Sequence, residues 1–142
     1  LCVYRTTAEL KDGIANFYDE SSGVWLDVWG EHMHHGYYPH KSYKNHTAAQ
    51  LDMIDRSLAF AYGNDEAIPR SVVDIGCGVG GSSRHITRKY SSIKKARGIS
   101  LSPYQISRAS IFSKEQNLAH IAEYKVDDAM QSSFVDNEFD LT

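Results

Sequence analysis

The 142-residue chain has too little of several features that define whole protein classes. Two cysteines, Cys2 and Cys77, are too few for a disulfide scaffold or a cysteine-ligated zinc site, and they favour a reducing compartment. No apolar run approaches the roughly 18 residues of a membrane span, and the first residues lack the charged and apolar regions of a signal peptide. The 15 basic and 18 acidic residues are dispersed and sum to a net charge of -3, so no nucleic-acid patch is predicted.

What remains is the composition of one globular domain, with 42% hydrophobic and 23% charged residues. The chain starts at Leu1, and its last residues, 139–142, look like a strand that has just begun. We therefore expect a fragment of a longer protein, marginal in isolation because its last strand would leave an edge unpaired. For the same reason, a missing targeting segment says nothing about the compartment, and the oligomeric state cannot be read.

Two helices are predicted before the first strand. Apolar spacing predicts a short amphipathic helix over about residues 8–20, and helical repeats predict a second over 48–62. We expect a capping box formed by Thr47 and Gln50 at the start of the second helix, and a stop at residues 63–65. The tract between them, from Trp25 to Tyr43, is rich in aromatic residues and histidine and is expected to fold over a sheet as a lid.

After Pro69 the pattern becomes strand, turn, helix. Strands are predicted at residues 71–76, 96–100 and 123–127, with a fourth from 139, and helices at 82–90 and from Pro103 to near Asn117. Ser102 should cap the last helix, with Pro103 in its first position and Gln105 completing a second capping box. This order indicates an α/β, Rossmann-like parallel sheet with helices on both faces and a ligand site at the carboxyl ends of the strands.

The predicted ligand loop follows the first strand. An apolar run ending in Asp74 breaks into Gly76-Cys77-Gly78-Val79-Gly80-Gly81, where side chains at Gly76, Gly78 and Gly80 would obstruct a ligand's approach to the main chain. The spacing also fits a dinucleotide-binding fingerprint, but such sites place an acid at the end of the second strand, and Ser100 stands there.

Asp74 completes the pattern D-x-G-x-G-x-G, which resembles motif I of class I S-adenosylmethionine methyltransferases. Further motifs resemble the gamma-tocopherol methyltransferase family and its plant alkaloid N-methyltransferase relatives, in that family's order. They are Gly13 to Trp25, Trp29 to Tyr38, Gly98-Ile99-Ser100-Leu101-Ser102-Pro103-Tyr104-Gln105, Asp127-Asp128-Ala129 and Phe134 to Asp140. The resemblance covers nearly the whole chain from about residue 10.

The resemblance implies S-adenosylmethionine as the cofactor and assigns its contacts. Asp74 and the glycine loop would hold the methionine end, Ser100 and Leu101 would lie beside the ribose, and Asp128 with Ala129 would meet the adenine. Gln105 is a further candidate, although its capping role competes with a cofactor contact. The cofactor-binding set is therefore Asp74, Gly76, Cys77, Gly78, Gly80, Gly81, Ser100, Leu101, Gln105, Asp128 and Ala129.

Histidines of the lid are the candidates for chemistry. A histidine near a phenolic acceptor could remove its proton and enrich the ortho carbon, and we favour His34 or His35 over His32 as this base. The aromatic walls suit a sulfonium and a bulky acceptor, with substrate-binding or lid roles expected for Tyr18, Trp25, His32 and Tyr37. No metal site is expected, because the histidines lack separated ligand sets.

The leading hypothesis is transfer of a methyl group to a hydrophobic aromatic or prenylated small molecule, a tocopherol ring carbon of vitamin E biosynthesis, in an enzyme of EC 2.1.1 type. N-methylation of an indole alkaloid and a non-catalytic nucleotide-binding fragment stay open as alternatives. We expect residues 1–47 to form a helix and lid segment and 48–142 an incomplete cofactor-binding domain. The resemblance makes a plastid location plausible.

Overall fold

A computed structural model describes residues 5–43, 45–62 and 69–142. Two helices come first and are followed by strands that alternate with helices. The elements are α1 (Thr7–Trp29), α2 (His46–Tyr62), β1 (Ser71–Ile75), α3 (Gly81–Lys89), β2 (Lys95–Ser100), α4 (Pro103–Glu115), β3 (Ala122–Val126) and a 3-10 turn at Ala129–Gln131. The predicted strand and helix order from residue 71 onward is confirmed, with boundaries within two residues.

The three strands form a parallel sheet in the order β1-β2-β3. Val72 is level with Ala96, and Ala96 is level with Ala122. On the free side of β1, Leu141 forms a parallel bridge with Val72, which places the fourth predicted strand beside the first. Within the described residues, the chain returns after β3 to the other side of β1 and does not add a strand beyond β3. Loops at such a reversal of strand order leave a crevice at the carboxyl ends of the strands.

The core lies between one face of the sheet and the helices. Val72, Ala96 and Ala122 on that face pack in one buried cluster with Ile54 of α2 and Ile86 of α3. The opposite face is mixed, with an ion pair between Arg97 and Glu123 beside the buried Val73 and Ile99. Right-handed crossovers that step in one direction place α3 and α4 on the same face, so the helices expected on the second face are not among the described elements.

Helix α1 is longer than its pattern predicts and ends at Trp29 rather than near residue 20. The extension runs through Ser21, Ser22 and Gly23, which have low helix propensity. Tertiary contact explains it, because Ser22 is fully buried and accepts a hydrogen bond from Gln105 at 3.0 Å. A larger residue would not fit there, so the small residues are required by the packing of α1 on α4.

The start of α2 differs from the prediction. The helix begins at His46, and Asn45 caps it by accepting a hydrogen bond from the Ala48 amide at 2.9 Å. The side chain of Gln50 therefore completes no capping box with Thr47, and it donates instead to the carbonyls of His32 and His34. The predicted stop at residues 63–65 lies outside the described residues.

The start of α4 is close to the prediction. Ser102 accepts a hydrogen bond from the Gln105 amide at 3.1 Å, and Pro103 occupies the first turn. The side chain of Gln105 does not return to the Ser102 amide, so the capping box is only half formed. The Gln105 side chain instead lines the cavity at the carboxyl ends of the strands.

Candidate functional site

A cavity of about 1100 Å3 opens at the carboxyl ends of the three strands and continues between α2 and β1 as far as Leu141. Its walls come from the glycine loop after β1, from Ser100 and Leu101 after β2, and from residues 127–130 after β3. Residues 31–35, which follow α1, form a fourth wall. The predicted crevice is therefore present, and it is large enough for a nucleoside-sized ligand together with part of a second molecule.

Gly76, Gly78 and Gly80 have two different structural roles. Gly76 and Gly78 have φ angles of +74° and +55° and line the cavity, and a Cβ added to Gly76 would meet no atom within 4 Å. Gly80 also has a positive φ, +76°, but it is not among the lining residues. A Cβ on Gly80 would lie 2.5 Å from the Tyr124 ring. Gly80 is thus needed for packing against β3.

Hydrogen bonds to other backbone groups occupy the amides of two of these glycines. The Gly76 amide donates to the Ile99 carbonyl at 2.9 Å, and the Gly80 amide donates to the Cys77 carbonyl at 2.9 Å. The first bond joins the loop to β2, and the second closes a turn within the loop. Of the three amides, only that of Gly78 has no backbone acceptor among the described residues.

Two further loop residues were predicted to contact the cofactor. Cys77 and Gly81 both line the cavity. Burial raises the pKa of the Cys77 thiol, which makes it a small apolar wall rather than a nucleophile. A Cβ on Gly81 would collide with the Glu31 carbonyl oxygen, so Gly81 lets the lid backbone rest directly on the start of α3.

Asp74 is a half-buried carboxylate with few partners. One of its oxygens accepts a hydrogen bond from the Ser83 hydroxyl at 2.6 Å. Burial raises the pKa of Asp74 above its ordinary value, although hydrogen bonds from Ser83 oppose the shift. No lysine or arginine pairs with Asp74 in the described part of the chain. A carboxylate in this condition is stabilised by a cation that a ligand brings, and the ammonium of a methionine moiety has the right charge.

The end of β2 holds Ser100, Leu101 and Gln105, all of which line the cavity. The Ser100 hydroxyl donates to Gln105 Oε1 at 2.7 Å and accepts the Ser102 amide at 3.2 Å. Gln105 Nε2 donates to Ser22. The polar groups at this strand end are therefore already connected into a buried network, and their roles toward a ribose remain predictions.

The end of β3 presents Asp128 and Ala129 to the cavity. Asp128 Oδ1 accepts a hydrogen bond from the Met130 amide at 3.0 Å, and its Oδ2 pairs with the ammonium of Lys11 from α1. The hydrogen bond from Lys11 is the largest cause of a lowered Asp128 pKa. An adenine amine would therefore have to share this carboxylate with Lys11.

The structure brings His32, His34 and His35 to the cavity wall. Burial is the main cause of a His32 pKa of about 4, with the nearby His34 and His85 adding to it, so His32 is neutral at pH 7. His34 Nδ1 lies 2.9 Å from the His35 carbonyl oxygen. A carbonyl only accepts, so Nδ1 carries the proton and Nε2 has a bare lone pair. Nε2 is buried and has no partner among the described residues.

The predicted substrate or lid residues divide into two groups. Tyr18 and His32 line the cavity, whereas Trp25 and Tyr37 do not. Trp25 packs against Trp29 with ring centroids 6.1 Å apart, and Arg56 covers the Tyr37 ring at 3.8 Å. These two aromatic residues therefore shape the outside of the lid.

Residues that the sequence did not single out complete the site. Lys11, Ser83, Glu31 and Arg84 each contact a predicted site residue or the loop that carries it. Ser83 lies nine residues after Asp74, within the strand–loop–helix unit, so its contact follows from the motif. Glu31 and Arg84 are 53 residues apart, and no local spacing relates them.

The described residues offer neither a metal cluster nor a membrane-spanning helix. No three or more His, Cys, Asp or Glu side chains there are grouped so that they could hold a metal ion. None of the helices in the described ranges combines the length and the apolar character needed to cross a membrane.

The strand order, the glycine loop and the cavity at the strand ends define a Rossmann-like protein of the class I methyltransferase type. The model of the family described as "Methyltransferase domain" matches residues 72–142, and the chain belongs to this family.

Similar proteins include tocopherol and alkaloid methyltransferases, the two groups that the sequence motifs resemble. The chain is 50% identical over 137 residues to a probable chloroplastic tocopherol O-methyltransferase of Oryza sativa subsp. japonica, covering 93% of this chain and 37% of that protein. It is 45% identical to the chloroplastic tocopherol O-methyltransferase of Arabidopsis thaliana, covering 96% and 41%. It is 37% identical to ajmaline N-methyltransferase of Rauvolfia serpentina, covering 94% and 47%. The recognised resemblance is confirmed, and the chain spans less than half the length of each of these relatives.

Solved structures agree on the fold. The [4+2]-cyclase SpnF superposes with a TM-score of 0.79 at 24% identity, covering 92% of this chain and 47% of that one. Geranyl diphosphate C-methyltransferase from Streptomyces coelicolor A3(2), solved with S-adenosyl-L-homocysteine, gives 0.71 at 16% identity, covering 92% and 53%. At these identities the likeness establishes the fold alone.

Proposed function

We propose that the chain forms the cofactor half of an S-adenosylmethionine-dependent methyltransferase acting on a tocopherol-type chromanol ring. The observation that carries the proposal is one cavity that joins the incompletely paired Asp74 to Asp128 across the glycine loop. A methionine ammonium at one end and an adenine amine at the other match these two carboxylates. The rice and Arabidopsis relatives, both named tocopherol methyltransferases, support the acceptor.

In this proposal the remaining cofactor contacts keep their predicted positions. Ser100 and Leu101 lie beside the ribose, Ala129 beside the adenine, and the open sides of Gly76 and Gly78 beside the methionine end. When bound, S-adenosylmethionine supplies a methyl group on a positively charged sulfur. Residues 31–35 exclude water from the acceptor as a lid, and the plastid is the proposed compartment, since both relatives are named chloroplastic.

His34 is the proposed general base. Its bare Nε2 is buried in the cavity wall, so the proposal requires that acceptor binding moves the lid enough to expose it. The nitrogen then takes the proton of the phenolic hydroxyl, and the resulting phenolate is electron-rich at the ortho carbon. That carbon forms the new bond to the methyl group as the methyl–sulfur bond breaks. It then loses its hydrogen to solvent while His34 returns its proton to the oxygen, so the net reaction releases one proton.

Alternative acceptor atoms make different demands on His34. Transfer to the phenolic oxygen, as in the O-methyltransferase names of the rice and Arabidopsis relatives, uses the same proton removal but gives an ether. Transfer to an alkaloid nitrogen, in the manner of the Rauvolfia relative's name, proceeds from a neutral amine and needs no base. The three reactions therefore differ in product and in dependence on His34.

The test uses the protein as its gene encodes it, with S-adenosylmethionine radiolabelled in the methyl group. Gamma-tocopherol and an indole alkaloid serve as acceptors, and NMR of the product locates the new methyl group. We expect label on the chromanol ring carbon. Label only on the alkaloid, or binding of cofactor with no label on either acceptor, would refute the acceptor assignment.

Matched histidine variants test the base. His34→Gln should lower kcat on tocopherol by roughly 100-fold or more, the usual contribution of a general base. His35→Gln and the exposed His120→Gln should change it less than about threefold, because neither combines a buried nitrogen with a fixed tautomer. Equal losses in His34→Gln and His35→Gln would remove the reason for choosing His34.

A further inference from the structure

A fully buried arginine touches both the glycine loop and the lid. Arg84 of α3 has 0% exposure. Its Nη1 donates to the Val79 carbonyl of the loop at 2.7 Å, and its Nη2 donates to Glu31 Oε2 at 2.6 Å. The Phe112 ring of α4 lies 5.3 Å from the guanidinium carbon. The always-charged guanidinium of Arg84 thus connects the glycine loop to Glu31, the first residue of the lid segment 31–35 that lines the cavity.

Glu31 is held from a second side. Gln116, which ends α4, donates from Nε2 to both Glu31 carboxylate oxygens at 3.0 Å. Partial burial raises the pKa of Glu31, but the hydrogen bonds from Gln116 and Arg84 outweigh this effect and leave the pKa below its ordinary value. Glu31 is therefore the counter-ion that lets Arg84 stay buried.

The lid beyond Glu31 has little freedom of its own. Its backbone rests on Gly81, where any side chain would collide with the Glu31 carbonyl. Gln50 of α2 donates to the carbonyls of His32 and His34 at 2.7 and 3.1 Å. A shift of the glycine loop that moved the Val79 carbonyl would thus be passed through Arg84 to the segment that carries the histidines.

From this arrangement we infer that Arg84 and Glu31 are positioning residues that couple cofactor binding at the glycine loop to acceptor binding at the lid. Neither side chain needs to touch a reacting atom. The inference rests on the proposed function, because it assigns the loop to the cofactor and the lid to the acceptor. It adds that binding at one site changes the affinity of the other through the Arg84–Glu31 ion pair.

The experiment measures that coupling directly in the protein as its gene encodes it. Calorimetry gives the dissociation constant of S-adenosylhomocysteine with and without saturating gamma-tocopherol in detergent micelles. The ratio of the two constants is the coupling factor, and we expect roughly fivefold or more for the unaltered protein. Glu31→Gln should bring the ratio to about 1, while the Arg97–Glu123 pair on the opposite face of the sheet supplies the matched control Glu123→Gln, which should leave it unchanged.

Glu31→Asp guards against simple unfolding, since it keeps the negative charge opposite Arg84 but is one methylene too short to reach Arg84 and Gln116 together. Its coupling factor should also fall. A Glu31 variant that melts earlier yet keeps the full ratio would overturn the inference, as would a ratio of 1 in the unaltered protein. Failure of the unaltered protein to bind S-adenosylhomocysteine at all would instead overturn the proposed function.

Discussion

Gly76→Ala should mainly weaken ligand binding, whereas Gly80→Ala should mainly lower the stability of the fold. Both glycines have φ near +75°, where a Cβ costs about 1–2 kcal/mol, offset by about 0.4–1 kcal/mol because alanine restricts the unfolded chain. Gly80→Ala adds a clash with the Tyr124 ring at 2.5 Å, and overpacking of this kind costs about 1–3 kcal/mol. The net losses of stability are about 1 kcal/mol for Gly76→Ala and about 3 kcal/mol for Gly80→Ala.

Melting and binding measured together separate the two variants. For a domain of this size about 1 kcal/mol corresponds to about 4 °C, so we expect Tm to fall by about 12 °C in Gly80→Ala and about 4 °C in Gly76→Ala. The Cβ of Gly76→Ala points into open cavity, so S-adenosylhomocysteine binding should weaken about tenfold or more, whereas folded Gly80→Ala should bind within about threefold of normal.

A double-mutant cycle identifies the source of the Gly80 effect. Tyr124→Ala removes the ring that the new Cβ would strike, so Gly80→Ala in that background should cost only the backbone term of about 1 kcal/mol. The reasoning is refuted if Gly80→Ala melts normally but loses ligand binding, or if its cost is unchanged without Tyr124.

Two further predictions concern charge. The His32 pKa of about 4 lies below the 6.5 of an unfolded chain, so the unfolded state binds more protons between these values and the protein loses stability as pH drops through that window. The free energy of unfolding measured by urea melts should fall by about 1–2 kcal/mol from pH 7 to 4 because of this residue, after allowance for its partial exposure. His32→Gln should remove that part of the pH dependence. Lys11→Met should tighten S-adenosylhomocysteine binding about threefold or more by calorimetry, because Asp128 then has no ammonium to share with the adenine amine; weaker binding would show that Lys11 orients the carboxylate instead.

Local chemistry explains why the second half of the chain was predictable. Apolar runs, the glycine loop and the Ser102–Pro103 helix start each carry a short-range signal, and the structure follows them within two residues from residue 71 onward. The same holds for the gathering of Asp74, Ser100 and Asp128 at one cavity, since parallel strands end at one edge.

Contacts between distant residues explain what could not be predicted. Gly80 looks like its neighbours in the motif until Tyr124, 44 residues later, is seen to donate a hydrogen bond to its carbonyl and to fill its open side. Gln50 has the spacing of a capping residue, but the lid carbonyls 16 and 18 residues earlier claim its side chain. Helix α1 continues through weak helix formers because Gln105 needs Ser22 as a partner.

Two charged side chains show how a structural role and a ligand-binding role differ. The charge of Arg84 is paired with Glu31, and Nη1 donates to the Val79 carbonyl, although the buried Nε has no partner among the described residues. In the described part of the chain Asp74 has hydrogen bonds from Ser83 and lies near His34, but it has no paired lysine or arginine, and desolvation raises its pKa. A fold that needed Asp74 only for packing would be more stable with a neutral residue there. Asp74 lies on the cavity wall, where the ammonium of the proposed cofactor would supply the opposite charge.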